Sequence, residues 1–178
     1  MKVKVLLILT AAILLCGCAV GGTVAWLSSR AFVKNTFIAG DITLELTETT
    51  GSEYKLIPGT TIAKDPKVTV YRGSESCWLF VKIQKQNDPD AYIDYAIADG
   101  WTPMGDGVYY RQLPTATADV TYSVLQNDQI SVKESLKKAD LAELKKSGIL
   151  PTISFTAYAI QQSASLTVEQ AWEIAKEL

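Results

Sequence analysis

The strongest constraint on the fold lies in residues 54–84, YKLIPGTTIAKDPKVTVYRGSESCWLFVKIQ, which hold two strand patterns and the densest apolar segment outside the N-terminus. Within 77–84, Cys77, Leu79, Val81 and Ile83 share one face, while Trp78 and Phe80 make the start of the opposite face apolar as well. A strand apolar on both faces is covered on both and belongs inside a sheet. Upstream, Val68 and Val70 alternate with Lys67, Thr69 and Tyr71, the pattern of a half-buried strand over 67–72. Pro58-Gly59 suits the central positions of a type II turn, where proline presets φ and glycine takes a positive one. Asp65-Pro66 turns the chain away from helix just before the strand.

The rest of the chain repeats this grammar. Residues 41–48 place Ile42, Leu44 and Leu46 on one side and Asp41, Thr43, Glu45 and Thr47 on the other, a strand with one wet face. Further strands are expected over 53–57, 92–97, 108–113 and 120–124, at Ile130 and Val132, and over 152–161, where Ile153, Phe155, Ala157 and Ala159 line one side. Two helices are expected. Asp140 with Glu143 reads as a capping box for a short helix through Lys146, closed by Gly148 and Pro151, and Thr167 with Gln170 reads as a second before Ala171, Trp172 and Ala175. With 178 residues there is room for one domain. The expectation is all-β: a two-sheet antiparallel β-sandwich over 40–178 with two peripheral short helices.

Residues 1–25 differ from everything after them. Lys2 and Lys4 precede an apolar run over 5–20, and no charge occurs between Lys4 and Arg30. This is a targeting segment, with three readings: a cleaved signal peptide, an uncleaved anchor, or a lipoprotein signal in which Leu15-Cys16-Gly17-Cys18 would acylate Cys18. Cleavage between Ala25 and Trp26 is preferred, because Thr23-Val24-Ala25 puts a small residue last. It leaves 15 basic against 19 acidic residues, a mildly acidic domain with no basic run to suggest nucleic acid. Only Cys77 then remains, so no internal disulfide is expected, and its place on an apolar face marks it as a small buried hydrophobe.

The order KLIPG, KDPKVTV, SCWLFVKI, ADGW, GVYYR and FTAYAIQ resembles the TasA/camelysin family of secreted bacterial proteins, from the glycines near position 21 to the C-terminal helix. Gly21, Gly22, Thr23, Ala25, Trp26, Thr36-Phe37 and Gly40 extend the likeness to the N-terminal region. The resemblance implies a jelly-roll sandwich, processing by a SipW-type signal peptidase, and export to an extracellular matrix (biofilm) or cell surface, with membrane attachment only before cleavage. It further implies a homopolymer built by donor-strand complementation. Residues 26–39 are then either a first strand on their own domain or a donor arm whose Trp26, Leu27, Phe32 and Val33 are buried by a neighbouring subunit. Camelysin-type relatives also imply an alternative, a surface metallo-endopeptidase, and a monomeric adhesin or ligand-binding domain is a third reading.

The chain contains no histidine. Ser-His-Asp and Cys-His nucleophilic sites and the HExxH zinc site are thereby excluded, so the expectation is a protein that is not an enzyme. No catalytic residue and no cofactor is assigned. The weak metal candidates are Asp88, Asp90 and Asp94, whose oxygens would suit calcium, although the spacing matches no EF-hand and a solvated turn is the simpler reading. Tyr109, Tyr110, Trp78, Trp101 and Trp172 have the composition of a carbohydrate groove, against the simpler reading of core aromatics.

Overall fold

A computed structural model describes residues 42–51 and 54–178. Among the described residues ten strands form three antiparallel sheets: β1 (Leu44–Thr47), β2 (Thr61–Ala63), β3 (Lys67–Val70), β4 (Cys77–Gln86), β5 (Ile93–Asp94), β6 (Thr102–Gly105), β7 (Val108–Leu113), β8 (Val120–Ser123), β9 (Gln129–Val132) and β10 (Thr152–Gln161). The sheet orders are β1-β3-β8, β10-β4-β7-β6 and β2-β9-β5. Helix α1 spans Lys138–Ser147 and α2 spans Val168–Ala175.

As its two apolar faces demand, β4 lies inside its sheet, paired along its whole length with β10 and over Cys77–Lys82 with β7. Its first face, Cys77, Leu79, Val81 and Ile83, joins Ala157 and Ala159 of β10 in one cluster with Ile42, Leu44, Val68 and Val70. The sheets β1-β3-β8 and β10-β4-β7-β6 therefore bury a common core between them. Ala157 and Ala159 are small where the opposite sheet approaches. The second face of β4 is covered by α2, whose fully buried Ala171 and Ala175 allow close approach while Trp172 packs on Phe80 and Tyr158, ring centroids 5.4 Å apart in each pair.

Three sheets replace the expected two. The third, β2-β9-β5, closes one end over Ile93, Leu125, Ile130 and Val132. Its strands are two to four residues long, too short for alternation to register. The strand expected over 92–97 contracts to Ile93–Asp94, and β2 and β6 were not expected. Where a strand was expected over 53–57, Tyr54 to Ile57 run as a loop, with Ile57 exposed. The Pro58-Gly59 turn follows as anticipated, Gly59 at φ 76° and the Thr60 N–H donating to the Ile57 carbonyl at 3.1 Å.

The capping-box expectation at Asp140 is corrected. Lys137 is the N-cap of α1 and Asp140 lies one turn inside, its carboxylate accepting from the Lys137 N–H at 2.8 Å. Gly148 ends the helix at φ 68°, as expected. For α2 the reciprocal box forms: Gln170 accepts from the Thr167 N–H at 3.0 Å, and Thr167 Oγ1 accepts from the Gln170 N–H at 3.3 Å.

Candidate functional site

Sheet edges are where a sandwich can accept another chain, and four strands stand at the edges of the two packed sheets: the ten-residue β10, which pairs with β4 along its whole length, and the four-residue β1, β6 and β8, which differ in how they are finished. The β6 edge is blunted by Pro103 and a register shift between Pro103 and Gly105. The β8 edge is engaged where Trp101 Nε1 donates to the Ser123 carbonyl at 2.8 Å. Behind it the Arg111 guanidinium lies between the Trp101 and Tyr122 rings, 4.8 and 4.9 Å from their centroids. The β1 edge carries no such block: among the described residues β1 is paired on one side only, to β3. The Thr43 carbonyl accepts from the Tyr71 N–H at 3.0 Å, so by antiparallel alternation Glu45 and Thr47 bond inward and the Leu44 and Leu46 peptide groups face outward.

The chain leaving β1 is pinned by a polar cluster that sequence reading missed. Asp65 is buried and accepts from Thr49 N–H at 2.8 Å, Thr49 Oγ1 at 2.7 Å and Thr50 N–H at 3.0 Å. These bonds, led by the Thr49 hydroxyl, hold its carboxyl well below the usual carboxylate range. Beside it, buried Lys64 pairs with Glu48 at 2.7 Å and lies over the Tyr54 and Phe155 rings. The Tyr54 hydroxyl donates to Glu48 at 2.7 Å, and burial raises its pKa. The one available signal is Asp65-Pro66, which the sequence shows only as a bias away from helix. Lysine is almost never fully buried unless paired, so Lys64 gave no warning.

The three acidic metal candidates do not converge. Lys85 bonds both Asp90 carboxylate oxygens at 2.8 and 2.7 Å, Lys133 approaches Asp94 at 3.6 Å, and Asp88 sits at φ 51° at the start of a short 3-10 turn. Ammonium groups occupy the positions that a cation would need. Among the described residues no group of three or more Cys, Asp or Glu side chains is arranged to hold a metal ion.

The aromatic candidates are dispersed. Trp101 is buried in the sandwich core, Trp172 packs from α2 onto Phe80 and Tyr158, and Tyr109 and Tyr110 point to opposite faces of β7. Trp78 alone lines a cleft, and its ring meets Tyr110 edge-on at 5.8 Å. Cys77 is buried and free, its thiol pushed up to about 11 by burial, which suits a packing residue and not a nucleophile. Ala25 and the arm residues Trp26, Leu27, Phe32 and Val33 lie outside the described residues. Comparison with protein-family models, with curated proteins and with solved structures finds no match.

Proposed function

We propose that this protein is a secreted structural subunit of an extracellular matrix fibre or cell surface layer, a TasA-like jelly roll that assembles by strand donation. The observation that supports it best is the β1 edge, paired on one side only among the described residues, where the β6 edge is blunted and the β8 edge engaged. An extended peptide adds to such an edge through main-chain hydrogen bonds, and here the outward groups of Leu44 and Leu46 would receive it. The donor is the segment 26–39 of a second copy, freed when a SipW-type peptidase cuts between Ala25 and Trp26. Head-to-tail donation is heterologous and need not close, so it propagates into a fibre.

Electron microscopy of the exported protein tests this reading: regular fibres are expected, and a protein that stays monomeric at all concentrations would overturn it. A casein-cleavage assay with and without chelator separates it from the peptidase alternative, with no chelator-sensitive cleavage expected.

A further inference from the structure

At the ends of β4, β7 and β10, where Gln161 pairs with Cys77 and Cys77 with Leu113, the sheet opens into a shallow cleft of about 390 Å³. It is lined by Ser76, Trp78, Gln112, Gln162, Ser163 and Ala164. Gln162 is fixed there by both its backbone and its side chain. Its N–H donates to the Ser76 carbonyl at 2.8 Å, and its Nε2 donates to the carbonyls of Cys77 at 3.1 Å and Leu113 at 3.4 Å. That leaves its Oε1 to accept from Gln112 Nε2 at 3.4 Å, a long and weak bond that a ligand hydroxyl could displace. Trp78 Nε1 is buried without a hydrogen-bond partner, a state that costs free energy until an acceptor is supplied.

We infer that this cleft is a binding site for a neutral saccharide. Two side-chain amides, two serine hydroxyls and an indole offer donors, acceptors and an aromatic surface, and no charged side chain lines the cleft. An anionic or cationic ligand would be desolvated there without a counter-charge, whereas a polyhydroxylated neutral ring exchanges its water bonds for bonds of the same kind. The volume falls within the range of about 300–1,000 Å³ usual for small-molecule sites. A peptide is disfavoured by position, because the cleft lies across strand ends and offers no edge along which to add a strand. The inference is independent of polymerisation and would hold for a monomer.

The test is a titration of isotope-labelled exported protein with cellotriose, maltotriose and chitotriose, with glucuronate as the charged control, followed by NMR. At least one neutral trisaccharide should shift the Trp78 indole N–H and the Gln112 and Gln162 side-chain amides saturably, and glucuronate should not. Gln112→Ala, at an exposed position, and Trp78→Phe, which keeps the ring packing, should each weaken binding about tenfold while the remaining spectrum is unchanged. The inference is overturned if none of the three sugars gives a saturable response, if glucuronate binds equally, or if binding survives Gln112→Ala.

Discussion

Asp65 shows how one side chain can fix a segment far from it in sequence. It gathers Thr49 and Thr50 onto the strand entrance before Pro66, and its charged form is the one those three bonds favour. Asp65→Asn should cost about 2 kcal/mol in denaturant unfolding, since hydrogen bonds to a charged acceptor are replaced by weaker ones. The folded carboxyl lies below its unfolded value of about 4, so its contribution is complete above that pH and is lost as pH falls beneath it. Unfolding curves of the native protein should therefore lose stability progressively on acidification below about pH 4, and the Asn variant should lose less over that interval. At Leu79, fully buried in the shared core, aspartate should prevent folding by leaving an unpaired charge inside, at a cost of about 3–5 kcal/mol. Lys82→Glu, which loses only a surface bond to the Asp106 carbonyl, should change stability little in the same assay.

Elements were legible in the sequence in proportion to how far tertiary contacts left their own pattern intact. For β10 the expected span is the observed one, because ten residues of alternation give a clear signal and both faces are used. Residues 54–57 failed because Tyr54 is drawn into the Glu48–Lys64 cluster, which no local pattern reports. The two helices show the same contrast. In α2 both box residues act as read, whereas α1 has no buried residue and its cap shifted to Lys137, since little packing fixes its start. Ala171→Leu in α2 should therefore cost about 1–3 kcal/mol by overpacking against β4 and β10, while Ala142→Leu in α1 should be nearly neutral by thermal unfolding. At the β6–β7 turn, Gly107 has φ 73° and an added Cβ would lie 2.5 Å from the Ile83 carbonyl oxygen. Gly107→Ala should destabilise by at least about 2 kcal/mol, because backbone must move on both sides.

For the molecule as a whole, sequence reading identified the sandwich core and the burial of Cys77, and it left the site open. The acidic residues Asp90 and Asp94 meet lysines brought in from β4 and from just beyond β9, a pairing invisible along the chain. The open β1 edge is likewise a property of sheet order, not of any local motif. Strand donation needs a donor and an acceptor that can be disabled separately. Deleting residues 26–33 removes the donor, and Leu46→Pro removes an outward N–H from the acceptor edge while the inward ladder of Glu45 and Thr47 to β3 remains. Circular dichroism first establishes that both variants are folded. Light scattering with electron microscopy of each variant alone, and of the two mixed, then tests the account most directly: neither alone should form fibres, and the mixture should give a discrete one-to-one dimer. Fibres from the deletion variant, or a mixture that stays monomeric, would contradict it.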